Sequence, residues 1–335
     1  MHETLIRAAT VVDGTEAPGY TADVAIAGGV ITAIGADLGP AHRVIDADGL
    51  VLSPGFIDMH AHSDLQVLLN PAHPSRITQG VTCEVIGQDG LSYAPVSDET
   101  LAVVRRQIAG WNTDPADFDF SWRTVGEYLD RLDAAGTATN LAYLVPHGLL
   151  RALTIGFGDG VASPAEVARM QEILTQGLSE GAVGLSTGLT YTPAMYADDA
   201  ELAALMRTTG ELGGYFSPHH RSYGAGAMEA YAEMIDLSRR TGCPLHLAHA
   251  TLNFGPTRDA RPSSSRCSTM PSPPARTSRS TPIPTCPAPP RSRRSCRAGR
   301  HPAAPVRRWR GCATRNRWRA SGNTSSTPGP TAATA

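Results

Sequence analysis

Two histidines separated by a single residue close an alternating polar and apolar stretch, and this spacing suits metal coordination. The stretch covers residues 55–64 and reads Gly-Phe-Ile-Asp-Met-His-Ala-His-Ser-Asp. In a β-strand, residues two apart share a face, so Asp58, His60 and His62 would lie on one side. Two imidazoles one pleat apart at a strand end can hold a divalent metal through their ring nitrogens. The alternative is an ordinary half-buried strand whose polar face meets water.

Further histidines follow candidate strands later in the chain. The fifth candidate strand ends at His219-His220, of which only one can point inward, and the sixth ends at His249. His147 ends the third, where it could orient a substrate or serve as a structural histidine. The carboxyl ends of parallel strands meet at one face of a barrel, where active sites gather. These residues therefore form a candidate metal constellation together with His60 and His62.

The elements that must position these residues alternate between strand and helix after residue 62. Candidate strands cover residues 81–86, 140–145, 182–186, 214–217 and 244–249. Helix starts are readable between them, including a capping box with proline at Ser163-Pro164 and another start at Thr124. This alternation predicts a parallel sheet with crossover helices. Together with the strand at residue 56, six strands can be counted, whereas a closed barrel needs eight.

Residues 4–52 and the last 76 residues differ from this middle part. The first segment contains short β-rich runs separated by turn signals such as Asp13-Gly14 and Gly28-Gly29. The last segment has 15 arginines and no acidic residue, giving a formal charge of +15, against −17 for residues 1–259. It also lacks Leu, Phe and Tyr and cannot bury a core. We expect three parts: a β-segment at 1–52, a barrel segment at 53–258 and a disordered tail at 259–335.

Three explanations compete for the basic tail. It could be a disordered segment that binds nucleic acid, a natural linker, or coding sequence read in the wrong frame. The third interpretation is favoured because the abrupt enrichment in Arg, Pro, Ser and Ala is typical of GC-rich DNA read out of frame. We therefore do not expect a nucleic-acid partner.

Several stretches resemble the N-acyl-D-amino-acid deacylase (D-aminoacylase) group of the amidohydrolase superfamily. The matching stretches are residues 53–62, 77–82, 90–95, 184–191 and 252–255. The resemblance implies a (β/α)8 TIM barrel, here incomplete, with a small β-sandwich, one or two Zn²⁺ ions and hydrolysis of N-acyl-D-amino acids. It implies that His60 and His62 bind one metal and that His219 and His249 bind the other. Tyr191 falls where the family contacts substrate, and Arg221 also becomes a candidate for substrate binding.

The chain departs from this family pattern at two positions. A Gly-Asn-Cys-Gly turn supplies the family's bridging cysteine, whereas this chain has Gly-Gln-Asp-Gly, so Asp89 becomes the candidate bridging ligand. A carboxylate also binds zinc, and Cys83 and Glu84 are fallback ligands. The family's general acid and base is an aspartate on strand eight, but Asp259 is the last acidic residue here. No catalytic residue is therefore assigned, and we expect the chain as written to be insoluble or inactive.

Two other functions are weighed against linear amide hydrolysis. Cyclic-amide hydrolases of the dihydroorotase and hydantoinase type bridge their metals with a carboxylated lysine, and this chain contains no lysine. The second alternative is a non-catalytic binding protein with a basic tail. The chain has no long apolar run at its start, so we expect a cytoplasmic protein without membrane contact that acts on a small-molecule substrate. The sequence does not specify an oligomeric state.

Overall fold

The computed structural model describes residues 1–251, and the predictions for the tail lie outside these residues. The described part contains two sheets and a set of helices that pack on the second sheet. The strands are β1 His2–Val11, β2 Tyr20–Ala27, β3 Val30–Gly35, β4 Ala41–Asp46, β5 Val51–Leu52, β6 Phe56–Asp58, β7 Val81–Ile86, β8 Asn140–Pro146, β9 Gly184–Gly188 and β10 Tyr215–His219. The helices are α1 Gln66–Leu69, α2 Pro74–Ile77, α3 Asp98–Gln107, α4 Ala109–Asn112, α5 Val125–Ala135, α6 His147–Thr154, α7 Pro164–Glu180, α8 Asp199–Glu211 and α9 Ala227–Thr241.

The first sheet is built from the β-rich segment that the sequence indicates. Its order is β3-β2-β1-β4, and β5 pairs with β1. β2 runs antiparallel to β1 and β3, whereas β4 and β5 run parallel to β1. Ile6, Val11 and Val24 are buried in its own small apolar cluster. Within residues 1–251 this sheet is a single layer of the β-sandwich that the sequence predicts.

The second sheet is a curled half-barrel of five parallel strands in the order β10-β9-β8-β7-β6. Helices cross over between most of these strands, as the alternating pattern predicts. α5 and α7 both begin with complete capping boxes, at Thr124 with Glu127 and at Ser163 with Glu166. These caps pair backbone amides that helix starts leave unbonded, which fixes where each helix leaves the sheet.

The core of the half-barrel lies between the sheet and the helices packed on it. Its completely buried side chains include Tyr128 of α5, Tyr143 of β8, Leu174 of α7, Met206 of α8 and Phe216 of β10. Each such side chain contributes roughly 1.5–3 kcal/mol when it leaves water. Burial of these side chains stabilises the contact between the strands and the helices. The carboxyl ends of the strands lie outside this apolar core and carry polar groups.

Two predicted strands are shorter or less regular than the sequence pattern indicates. β6 ends at Asp58, because the chain then turns and the His60 amide donates to the Asp58 carboxylate at 3.1 Å. The two histidines thus follow the strand instead of belonging to it. Residues 244–248 pair with β10 through only three backbone hydrogen bonds and one isolated bridge, from Leu245 to Phe216. This sixth segment lies at the predicted place beside β10 but is not a regular strand.

Candidate metal centre

The turn after β6 brings His60 and His62 together. Asp58 accepts the His60 amide and also pairs with Arg76 of α2 at 2.8 Å, and the Ala61 amide donates to the Val85 carbonyl of β7. The Nε2 atoms of the two histidines consequently lie 3.3 Å apart. Although both residues lie beyond the strand, their ring nitrogens meet at one point at its carboxyl end.

Asp89 lies in a short 3-10 turn, Gln88–Gly90, directly after β7. Its φ of 56° is in the left-handed region, and the flanking Gly87 and Gly90 also have positive φ. The side chain is almost completely buried, with 3% exposure. This unusual backbone aims the carboxylate at the centre of the half-barrel's carboxyl end.

The other two histidines come from the opposite side of the half-barrel. His219 is the last residue of β10, and His249 follows the segment that pairs with β10, with a left-handed φ of 51°. Thr190 contacts the Nε2 atom of His219 at 2.8 Å. This contact occupies one ring nitrogen, so the Nδ1 atom of His219 is the one that faces Asp89.

The Asp89 carboxylate lies among all four rings. Its Oδ1 atom is 3.5 Å from the Nε2 atoms of both His60 and His249. Its Oδ2 atom is 3.3 Å from the Nε2 atom of His62 and 3.6 Å from the Nδ1 atom of His219. Two groups of three possible ligands result, one with His60 and His62 and one with His219 and His249, and they share this carboxylate.

The donor set fits a divalent metal. In a tetrahedral zinc site with bonds of about 2.0–2.2 Å, neighbouring ligand atoms lie roughly 3.3–3.6 Å apart, which matches the distances found here. Asp89 Oδ1 and His219 Nδ1 are buried without a hydrogen-bond partner among the described residues. Such unpaired buried groups are costly unless a cation or water satisfies them. The arrangement can therefore hold one or two metal ions.

The charge state of the cluster also suits a cation. Burial raises the pKa of the Asp89 carboxyl, but the imidazoles of His219, His60 and His62 outweigh burial and hold this pKa well below its ordinary value. Asp89 is thus ionised at neutral pH. Burial lowers the pKa of His249, which favours the neutral imidazole that metals require.

Aromatic side chains line the cluster. The Tyr191 ring lies 4.8 Å from the ring of His219. Trp111 lies 4.4 Å from the ring of His62, and Tyr223 lies 4.7 Å from that of His219. The sequence indicated Tyr191 but neither Trp111 nor Tyr223. Trp111 lies on the four-residue helix α4, which is too short to show a periodic pattern of apolar residues. The only signal in the sequence is that an aromatic residue occurs in a long connection between strands.

Two predicted substrate-binding residues are engaged elsewhere in the fold. His147 is completely buried, and its Nδ1 and Nε2 atoms contact Thr187 at 2.7 Å and Glu201 at 2.6 Å. This arrangement favours the structural role that the sequence left open. Arg221 pairs with Glu233 at 2.9 Å and donates to two carbonyl groups of the preceding connection. These bonds use three of its five N–H donors and hold its guanidinium against the connection between β9 and α8.

The fallback ligand Glu84 does not face the cluster. Its carboxylate is completely buried and binds Ser63 at 2.6 Å, Thr139 at 2.9 Å and His73 at 3.0 Å, with Arg76 at 3.3 Å. These four partners satisfy both oxygens inside the protein. Neither Glu84 nor the other fallback, Cys83, belongs to the groups of possible metal ligands among residues 1–251. Asp89 is therefore the carboxylate at the centre.

A sequence model described as "Amidohydrolase family" matches residues 43–279. The chain belongs to the amidohydrolase family. It is 32% identical over 273 residues to a D-aminoacylase of Alcaligenes xylosoxydans xylosoxydans, which covers 78% of this chain and 54% of the relative. It is 35% identical over 249 residues to an N-acyl-D-glutamate deacylase of the same organism, covering 74% of this chain and 49% of that relative.

Solved amidohydrolase structures agree with the half-barrel. A D-aminoacylase crystal structure superposes with a TM-score of 0.70 at 32% identity, covering 80% of this chain and 56% of that one. An N-acyl-D-glutamate deacylase from Bordetella bronchiseptica, complexed with zinc and a phosphonate inhibitor, gives a TM-score of 0.69 at 31% identity, again covering 80% and 56%. The chain spans about half the length of the relatives it matches. Among residues 1–251, no helix combines the length and apolar character that crossing a bilayer requires.

Proposed function

We propose that this amidohydrolase hydrolyses the linear amide bond of N-acyl-D-amino acids in a metal-dependent reaction, releasing a carboxylate and a D-amino acid. One observation carries the proposal: a single buried carboxylate, Asp89, lies 3.3–3.6 Å from ring nitrogens of four histidines. The substrate class follows from the relatives that are named as a D-aminoacylase and an N-acyl-D-glutamate deacylase.

In this proposal the five side chains bind one or two zinc ions. His60 and His62 would hold one position, His219 and His249 would hold the other, and Asp89 would supply anionic charge to both. A zinc ion held there would polarise the amide carbonyl and lower the pKa of a bound water molecule from about 15.7 towards about 7. The protein's own task is to keep these ligands in place and to orient the substrate beside them.

Aromatic side chains carry out the second part of that task. Burial and the charge of Asp89 raise the pKa of Tyr191, so its phenol keeps its proton and can donate a hydrogen bond to the substrate. Trp111 packs against His62 and Tyr191, so its ring covers part of one ligand and forms one wall beside the cluster.

Proton transfer is the step for which the described residues provide no assigned group. The leaving amine needs a proton when the amide bond breaks. Positioned general acid and base catalysis contributes about 10²–10⁴-fold to rates, so the group that delivers this proton has a large effect on turnover.

An enantiomer assay tests the proposal. The full-length chain is loaded with zinc, and release of D- or L-methionine from the two N-acetylmethionine enantiomers is followed by chiral chromatography. We expect release from the D-enantiomer alone, which the matched variant D89A abolishes. Equal release from both enantiomers would contradict the proposal. Faster hydrolysis of hydantoin or dihydroorotate would favour a cyclic-amide hydrolase instead.

A further inference from the structure

The position of the Asp89 carboxylate depends on an unusual backbone turn. Gly87, Asp89 and Gly90 have φ values of 76°, 56° and 69°. Residues with a Cβ adopt this region reluctantly, and such conformations persist only where the surroundings hold them. The contacts that keep the turn in place therefore also determine where its carboxylate lies.

Ser186, in the middle of β9, contacts this turn on both sides of Asp89. Its hydroxyl donates to the Gly87 carbonyl at 2.5 Å and accepts the Gly90 amide at 3.1 Å. The side chain is completely buried. Both hydrogen bonds join β9 to residues almost one hundred positions earlier, and both lead to the segment that carries Asp89.

Other contacts fix the start of the turn. The Gly87 amide donates to Asp64 at 2.9 Å, and the Gln88 side chain donates to the Met59 carbonyl at 2.8 Å. The Ser186 hydroxyl, in contrast, also accepts a hydrogen bond from the amide of Gly90, which follows Asp89 in the turn. Its hydroxyl thus joins both sides of the turn to β9, whereas the bonds to Asp64 and Met59 reach only its first half and the bond from the Leu91 amide to the Gln88 carbonyl, at 3.1 Å, lies within the turn.

Close packing between the turn and β9 limits the conformations that the turn can adopt if the Ser186 hydroxyl is removed. A Cβ placed on Gly188, the last residue of β9, would lie 2.2 Å from the Asp89 carbonyl oxygen. A Cβ on Gly90 would lie 2.8 Å from the Gly188 nitrogen. Because the two backbones are already in contact, a turn that loses this hydrogen bond cannot recover it by moving closer to β9.

We infer that Ser186 is a positioning residue for the candidate metal centre: its hydroxyl holds the Asp89 carboxylate between the four histidines. The inference rests on the metal centre of the proposed function. Ser186 is not one of the candidate metal ligands. It acts through Asp89, in the way that outer partners of metal ligands generally orient those ligands.

Zinc affinity of the full-length protein tests this role without any substrate. Apparent dissociation constants are measured by competition with a chromophoric chelator for the wild type and for S186A. Replacing an outer partner of a metal site typically weakens affinity about 10–100-fold, and we expect a loss in this range. The matched control is T209V, which removes a buried hydroxyl that binds only the Leu205 carbonyl within α8. T209V should leave zinc affinity unchanged.

A double-mutant cycle separates positioning from general damage to the fold. If Ser186 acts through Asp89, then S186A weakens zinc binding in the wild type but adds no further loss in a D89A background. Equal losses in the two backgrounds, or a loss no greater than that of T209V, would overturn the inference. Absence of zinc binding by the wild type would overturn the metal centre and the inference together. Zinc binding without hydrolysis of N-acyl-D-amino acids would overturn only the proposed function.

Discussion

Two of the buried carboxylates that lie beside histidines, Glu84 and Asp89, differ in what satisfies their oxygens. Each oxygen of Glu84 accepts a hydrogen bond, one from Ser63 and one from Thr139, and His73 and Arg76 lie within ion-pair distance. Asp89 has an oxygen with no hydrogen-bond partner among the described residues. A carboxylate surrounded by donors stabilises a fold, whereas one left open among imidazoles is suited to a cation. This difference separates the structural carboxylate from the candidate ligand.

The matched variants D89N and E84Q should respond in opposite ways. D89N removes the charge shared by the two groups of histidines, so we expect zinc affinity to fall at least about tenfold with a small change in apo stability. E84Q replaces the buried carboxylate that accepts from Ser63 and Thr139 by an amide whose NH₂ group cannot accept, which costs about 1–3 kcal/mol in the free energy of unfolding. Chelator competition and urea unfolding of the metal-free protein measure the two effects. A larger stability loss for D89N than for E84Q would contradict this assignment.

The sequence predicted much of this centre at the level of single residues. His60, His62, Asp89, His219 and His249 were all selected, and the fold brings them to one point, although their role as ligands stays a prediction. Strand pattern located the carboxyl ends at which these residues lie, and the family resemblance selected His219 over His220 and Asp89 as the bridging candidate. Trp111 and Tyr223 were missed because ring contacts between connections have no periodic signal. The sequence could not predict the hydrogen-bond partners of His147 either, because Thr187 and Glu201 lie 40 and 54 residues away along the chain.

At the scale of elements, a buried charge network joins α6 to α8. Glu201 of α8 binds His147 at the start of α6 and also pairs with Arg151, one turn further along. All three side chains are almost completely buried. Thr187 of β9 contacts the same histidine, so the network fixes two helices against the strand that carries Ser186.

Breaking this network should destabilise the fold strongly. E201Q leaves the Arg151 charge buried without a counterion, and we expect a loss of about 3–5 kcal/mol in the free energy of unfolding. The control is D199N on the same helix, because Asp199 forms an exposed pair with Arg240. Exposed pairs contribute about 0–1 kcal/mol. Urea titrations of both variants should separate them clearly, and similar losses would show that the network does not stabilise the fold.

The same network predicts a pH dependence. Burial raises the pKa of Glu201, but the hydrogen bond from His147 and the charges of His147 and Arg151 outweigh it and lower this pKa below 4.5. In the unfolded chain the carboxyl binds a proton near its ordinary pKa, whereas the folded protein keeps it ionised. The stabilisation is therefore present above about pH 4.5 and is lost as the pH falls through the lowered pKa.

Urea unfolding from pH 3 to 7 checks this dependence. The difference in unfolding free energy between the wild type and E201Q should be constant above about pH 5 and should shrink at lower pH. A difference that grows on acidification would contradict the direction of the shift.

Element-level predictions succeeded where local signals were strong. The two capping boxes and the parallel order of the strands agree with the sequence pattern. β6 is shorter than predicted because Asp58 turns its carboxylate to Arg76 and to the His60 amide. These bonds depend on α2, which follows almost twenty residues later, so the alternation of polar and apolar residues could not reveal them.

At the scale of the whole molecule, the half-barrel has an apolar edge. Phe56 and Ile57 of β6 are each 60% exposed, and Met59 beyond them is 36% exposed. In the described part β6 pairs only with β7. Unpaired strand edges with apolar side chains are templates for association between chains. This edge is therefore the part of the surface where we expect self-association to begin.

A charge placed on this edge should reduce association. We expect I57K to lower the light scattering of the full-length chain at a given concentration, because a lysine on an edge strand disfavours pairing. V161K is the control, since Val161 is 64% exposed but lies in the connection between α6 and α7. Equal effects of the two variants would point to net charge as the cause. No effect of I57K would remove β6 as the associating edge.

The architecture was predictable from the sequence as far as local patterns extend. The small sheet and the parallel half-barrel follow from β-rich runs and from alternating strands and helices. The sixth strand was expected as a regular element, yet residues 244–248 form only a partial ladder with β10. The bonds to β10 involve only Pro244, His246 and Ala248, and the order of apolar and polar residues in this segment does not reveal how far such a ladder extends. The interpretation of the basic tail as a frameshifted segment stays a prediction.

The contact between Trp111 and His62 gives the candidate centre a natural optical reporter. The indole lies 4.4 Å from a ring that would bind metal, and the chain contains only four tryptophans. Copper or nickel bound at that imidazole should quench the emission of this indole, whereas zinc should change it much less. The spectrum of W111F, subtracted from that of the wild type, isolates the signal of this single side chain. Metal occupancy could thus be followed in real time without labelling the protein.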